Sequence, residues 1–288
     1  MDNNESMVFA GIDGSLLSEA VCDYAAWMAK RINAPLKLLH TIDHHHEKAE
    51  SMDLSGNFGI DDRDHLLEEM TEHEQQLSKL RIQQGKTLLS TAKNRLLKQE
   101  GIDPIPCLQH GGLIESLVED ENSIRALVVG IRGKVHEQQT DKIGAKLEPL
   151  IRSLHRPILV VNEAFHEPHN IMIAYDGSEA AEKAVAMVAS SPLYTGLTCH
   201  LVCVRKKQTD DNLLDLAAQK LRNGEDKKII TSRLLGKAEQ ELCEYQNSHN
   251  IDMTIMGAFS HTRIHDLLLG SFTVKMLVNT KKPLLLLR

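Results

Sequence analysis

The chain has 288 residues, 42% hydrophobic and 25% charged, with 33 Lys plus Arg against 40 Asp plus Glu for a formal charge of -7. At roughly 100–200 residues per domain this is chain enough for two domains, and the apolar content excludes a disordered polymer. The acidic balance, with only 1 Trp, 4 Tyr and 5 Phe, excludes a nucleic-acid binder built on phosphate neutralisation and base stacking, and argues against a membrane surface.

The opening residues 1–6 are polar and acidic, unlike a secretory leader, and no apolar run reaches the ~18–20 residues of a membrane span. Cys22, Cys107, Cys199, Cys203 and Cys243 are scattered without a CxxC pair. A reducing, cytoplasmic setting is the expectation.

Taken in chain order, the elements repeat. The apolar run 7–12 closes in Asp13-Gly14-Ser15 and leads into an Ala-rich helical pattern over 19–30; residues 170–175 close in Asp176-Gly177-Ser178 before a similar pattern over 179–190. A second strand at 36–42 matches 198–205, a later one at 126–130 matches 253–257, and 156–161 matches 282–287. Four matched segments in one order mark a duplication. The copies join at a short polar stretch near 162–169, which sets domains of 1–163 and 168–288. Asp13 to Gly130 spans 117 positions and Asp176 to Gly257 spans 81, so the first copy carries about 36 extra residues, a helical insertion around 43–80. It begins with His44, His45 and His46 and enters a long helical stretch over 65–99, where leucines recur at three and four. A face packed on its own domain accounts for those leucines better than a partner-binding helix.

Short, continuously apolar strands alternating with helices predict two tandem, doubly wound α/β domains, each with a five-stranded parallel sheet. The last strand of each copy would be an exposed apolar edge, so the two edges are expected to pair antiparallel within one chain, an intramolecular pseudo-dimer. Further oligomerisation is left open. In such sheets ligands bind beyond the carboxyl ends of the strands where strand order reverses, at Asp13 and Gly130 or at Asp176 and Gly257. Gly257 lets the backbone turn at a strand end and Ser260 is small enough for close approach of a phosphate. Gly270, Ser271 and Thr273 open the last helix, whose free N–H groups favour an anion.

On these residues the two copies resemble the universal stress protein family over nearly the whole chain except the insertion. The resemblance implies an adenine nucleotide alpha hydrolase-like, Rossmann-like fold. Nucleotide-binding members carry Gly, two residues, Gly, nine residues, Gly, then Ser or Thr. The second copy matches as Gly257, two residues, Ser260, nine residues, Gly270, Ser271, with Ser260 replacing a glycine. The resemblance places Asp176 facing the nucleotide, and Ala174 and Val204 near its adenine. The first copy keeps Asp13, Gly130 and Gly133, but ten residues precede Gly144 and Ala145 replaces the hydroxyl, so its site reads as degenerate.

The expected ligand is ATP or a related adenine nucleotide, with or without Mg2+, in the second domain of a stress-response protein without efficient catalysis. The alternatives are a ligand-sensing or protein-interaction scaffold that holds no nucleotide, and a hydrolase or nucleotidyl transferase on the same fold. Asp13 and Asp176 also read as caps of the helices that follow. No catalytic nucleophile–base pair is named, and no metal site: neighbouring imidazoles at His44–His46 read as a solvated loop. Neither nucleic acid nor membrane is an expected partner.

Overall fold

The computed structural model describes residues 6–42, 60–134, 143–206, 212–222, 228–258 and 269–288, with side chains in the long helix described from Gln75 onward. The first copy runs β1 (Met7–Gly11), α1 (Ser18–Ile32), β2 (Leu36–Ile42), α2 (Ile60–Glu100), β3 (Ile105–His110), α3 (Leu113–Glu119), β4 (Ile124–Gly130), α4 (Leu147–Ser153) and β5 (Ile158–Val161). The second repeats it: β6 (Asn170–Ala174), α5 (Glu179–Ser190), β7 (Thr198–Arg205), α6 (Leu213–Leu221), β8 (Ile229–Leu235), α7 (Ala238–Ser248), β9 (Met253–Gly257), α8 (Ser271–Asn279) and β10 (Leu284–Leu287).

All ten strands form one sheet in the order β3-β2-β1-β4-β5-β10-β9-β6-β7-β8. Every neighbour pair is parallel except β5 and β10, which run antiparallel with Leu285 opposite Leu159. The expected edge pairing is therefore the seam of the molecule. Alternate residues of the strands enter two cores. Val8, Ala10, Leu159, Val161, Leu285 and Leu287 face α1, α2, α5 and α6; Phe9, Ile158, Val160, Leu284 and Leu286 face α3, α4, α7 and α8. Burial on both faces is why these strands read as continuous apolar runs.

The two copies are also tied outside the seam. Arg31 of α1 donates from Nε to Leu193 O at 2.7 Å, and its guanidinium reaches Thr195 O. In the connector, Phe165 meets Tyr24 edge-on with ring centroids 4.8 Å apart, and Lys282 pairs with Glu163 at 2.8 Å.

The extra residues of the first copy enter the β2–β3 crossover, where α2 has 41 residues and its counterpart α6 has nine. The packing of α2 on its own domain rests on its C-terminal part. Leu89 and Leu96 are buried, Leu88 and Ala92 pack on the same core, and Arg95 pairs with Asp23 of α1 at 2.7 Å. Gly85 allows the closest approach: a Cβ there would lie 2.8 Å from Leu108 and 2.9 Å from His40. His44, His45 and His46 lie outside the described residues.

Candidate functional site

Strand order reverses at β1 and again at β6. Each has its following strand on one side and the fourth strand of its copy on the other, so a crevice opens at the carboxyl ends of β1 and β4, and of β6 and β9. Both crevices hold a cavity.

The first is about 320 Å³ and is lined by Gly11, Asp13, Thr41, Gly130, Gly133 and Gly144, among others. Gly14 has φ +76°, and this left-handed residue lets Asp13 fold back over its own loop. Asp13 Oδ1 accepts from the Ser15 N–H at 3.0 Å and the Ser18 hydroxyl at 3.3 Å. Its Oδ2 accepts the Lys134 N–H at 2.9 Å, so the first-strand aspartate also ties down the loop after β4.

That loop draws its glycines together. The Gly144 N–H donates to Ile131 O at 2.8 Å. A Cβ on Gly144 would stand 3.2 Å from Ile131 O and 3.7 Å from Gly133 N, and one on Gly133 only 2.7 Å from Asp13 Oδ2. The ten-residue spacer thus leaves Gly144 beside Gly133. Ala145 supplies no hydroxyl, but Arg132, Lys134 and Lys146 all line the cavity, a concentration of positive charge that glycine spacing does not reveal. His40 lines it as well; its Nδ1 lies 2.8 Å from Ile12 O and so carries the proton, since a carbonyl only accepts.

The second cavity, about 220 Å³, is lined by Ala174, Tyr175, Asp176, Val202, Val204, Leu242, Met256, Gly257, Gly270, Phe272 and Thr273. Ala174, Asp176, Val204, Gly257, Gly270 and Thr273 are therefore brought together as the sequence expects, whereas Ser260 lies outside the described residues. Asp176 Oδ1 accepts the Ser178 N–H at 2.9 Å, and Ser178 caps α5 by accepting the Ala181 N–H at 3.0 Å. Gly177, at φ +83°, makes the same turn as Gly14. The capping reading of the aspartates does not hold: Ser178 caps α5 and α1 has no side-chain cap, while Asp13 and Asp176 each accept the N–H two residues on and so close the Asp-Gly-Ser turns at the crevices.

Gly257 is packed tightly from behind: a Cβ there would lie 2.7 Å from the Ala180 Cβ. Thr273 is buried and donates its hydroxyl to Ala258 O at 2.8 Å, which secures the start of α8 to the end of β9. Ser271 is exposed at the first position of α8, after Gly270, and is not among the residues that line the cavity; among the described residues no side chain caps this helix. Tyr175, which takes the place of Ile12, donates to Glu182 at 2.5 Å; Glu182 also pairs with Lys220 at 2.7 Å. Burial, then the Glu182 carboxylate, push the Tyr175 hydroxyl well above the usual phenol range. Lys220 and then Tyr175 hold Glu182 below the usual carboxylate range.

The sequence model of the universal stress protein family matches residues 7–162 and 205–288. A universal stress protein of Synechocystis, Slr1230, is 33% identical over 280 residues, covering 96% of this chain and 97% of that protein. Among solved structures, a universal stress protein from Archaeoglobus fulgidus aligns over 100% of this chain and 99% of its own with a TM-score of 0.68 at 16% identity. A functionally unknown Pseudomonas aeruginosa protein, PA1789, covers 98% and 92% with a TM-score of 0.61 at 13% identity. These two likenesses concern the fold.

Proposed function

The chain is a member of the universal stress protein family, and from that premise we propose that it is a stress-response regulatory or protective protein that binds an adenine nucleotide such as ATP without turning it over efficiently. The observation that carries this reading is the convergence of Gly130, Gly133 and Gly144 with Arg132, Lys134 and Lys146 around one cavity at a switch point of the sheet. A Cβ on Gly130, Gly133 or Gly144 would press on Leu17, Asp13 or Ile131, so glycine is what lets the loop close tightly around the cavity, and on this reading the three cations that line it offset the charge of a phosphate. The base then lies toward Gly11 and Thr41, the first-copy counterparts of Ala174 and Val204. Asp13 stands beside the phosphate floor, and a Mg2+ carried in with the nucleotide offsets that carboxylate.

The second-domain cleft is a second binding position on the same reading. What favours it is the start of α8, where Gly270, Phe272 and Thr273 line the cleft with Val202 and Val204 and the exposed Ser271 stands between Gly270 and Phe272.

Titration with a fluorescent ATP analogue tests the reading and separates the clefts. Saturable binding is expected, and Arg132→Ala with Lys146→Ala should weaken it about tenfold or more, the loss of two charge-assisted contacts. A loss confined to Ser271→Ala assigns binding to the second domain. No saturable binding in the unmodified protein overturns the proposal in favour of a scaffold, and sustained phosphate release abolished by Gly133→Asp makes the protein a hydrolase.

A further inference from the structure

We propose that β8 is a self-recognition edge, on which two copies of this chain pair antiparallel and join their sheets into one. The inference is independent of the nucleotide reading. β8 ends the strand order, as β3 does on the other side, and among the described residues no strand lies beyond it. Its backbone alternates between its two sides. Lys228 O accepts the Cys199 N–H and the Gly236 N–H donates to Arg205 O, so the even-numbered residues of β8 face β7. Ile229, Thr231 and Leu235 therefore turn their N–H and C=O groups to the outer edge.

The duplication gives β8 an equivalent in β3. Gly11 pairs with Leu39 and Ala174 with Val202, which makes Lys37 equivalent to His200. Through their pairings Ile105 is equivalent to Ile230, and so Pro106 to Thr231. In β3 the Gly111 N–H donates to Ile42 O, so the odd-numbered residues face β2 and Pro106 sits on the outer side. There the proline costs no ladder bond and removes a donor that an incoming strand would use. Thr231 keeps that donor. One edge of the molecule carries a block that the equivalent edge lacks.

The side chains of β8 select a second copy as the occupant. A two-fold axis at Ser232 sets Ile229 opposite Leu235 and Thr231 opposite Arg233, pairs of like backbone orientation that can exchange hydrogen bonds; Ile230 falls opposite Leu234. Each apolar residue of β8 thus meets an apolar residue on both faces of the joined sheet, and Leu235, 57% exposed, gains cover. α6 lies over β7 and β8, so the two copies of α6 stand about two strand spacings apart, roughly 10 Å, the distance at which helices pack. Asp215 marks the flank of α6 nearer the edge, since it pairs with Arg233 at 2.7 Å, and Arg222 lies two turns on along that flank. Set antiparallel, the helices bring Asp215 of one copy toward Arg222 of the other. The seam between β5 and β10 joins apolar strands in the same antiparallel way.

An open edge also suits an extended segment of a different protein, and the experiment distinguishes the two. Sedimentation equilibrium of the full chain should give a dimer at micromolar concentration. Thr231→Pro copies Pro106: it spares the bonds to β7 and removes one edge bond from each copy, so association should weaken roughly tenfold or more with an unchanged far-ultraviolet circular dichroism spectrum. Leu235→Lys, at an exposed position, should weaken association as well and keeps the test decisive if the proline variant fails to fold. Amide hydrogen exchange at Ile229, Thr231 and Leu235 should slow as the protein is concentrated, while the outward Leu108 amide of β3 should not respond. A monomer at these concentrations, whether or not it takes up an extended peptide, a dimer untouched by both variants, or exchange at β8 that ignores concentration overturns the proposal.

Discussion

Gly133, three residues after the end of β4, and Gly257, at the end of β9, are each required by a different neighbour. Gly133 leaves room for the Asp13 carboxylate, whereas Gly257 leaves room for the Ala180 methyl of α5. A substitution at Gly257 therefore strains the packing between α5 and β9 before it touches any ligand. Gly257→Ala is expected to destabilise the fold by about 1–3 kcal/mol, the usual cost of forcing a methyl into a filled space, measured by urea denaturation. For the same reason Ser271→Ala reports more cleanly on binding than a change at Gly257. The Asp-Gly-Ser motifs were legible because a turn with positive φ needs glycine and a side-chain acceptor. The cationic wall of Arg132, Lys134 and Lys146 was not, because one-dimensional spacing cannot say that the two ends of a ten-residue spacer face the same cavity.

One buried histidine adds a pH signature. His200 on β7 is 4% exposed, with Nδ1 2.9 Å from the Tyr245 hydroxyl, which also lies 2.9 Å from the Ser232 hydroxyl; His249 stacks on Tyr245. Burial, then the charges of His249 and Lys228, depress the His200 imidazole below its ordinary value of 6.5. The unfolded chain then binds the proton that the folded one refuses, so stability is full above about pH 6.5 and falls as pH drops below it. Urea denaturation at about pH 7.5 and pH 5.5 should show this decline, and His200→Gln should flatten it; an unchanged slope in the variant contradicts the assignment.

At the scale of elements, the crossover helix α2 departs most from the internal repeat. Its leucine periodicity identified a helix correctly, and the expectation that the leucines pack on their own domain holds for the C-terminal part. Leu96 is 0% exposed within the core that α2 shares with α1, so Leu96→Ala should cost about 2–5 kcal/mol by removing buried methyls and leaving a cavity. Thermal denaturation followed by circular dichroism checks this, and a loss below 1 kcal/mol would mean that α2 lies loosely on the domain. The edge strands were more legible: a four-residue apolar run with no polar face, as in Leu284–Leu287, has to be covered on both sides.

Across the whole molecule, pairing β5 with β10 turns two five-stranded sheets into one and makes one core continuous through Leu159 and Leu285 and the other through Ile158 and Leu286. The duplication was readable from four matched segments. The family model leaves 163–204 unmatched, yet β6, α5 and β7 stand there in the places of β1, α1 and β2. Topology thus gives the chain two comparable crevices, while local residues make them unequal: one has converged glycines with a cationic wall, the other a largely apolar wall of Val202, Val204, Leu242 and Phe272. On the proposed function, which crevice holds a nucleotide is decided by the side-chain chemistry after β4 and β9.

Equilibrium dialysis of the unmodified protein against radiolabelled ATP with Mg2+ tests this account most directly, because it counts bound nucleotide per chain. The account predicts saturation at a whole number of nucleotides, one for the first cleft alone or two for both, with the first-cleft nucleotide lost in Arg132→Ala with Lys146→Ala. Retention of no nucleotide at millimolar concentration, or binding that never saturates, would contradict it.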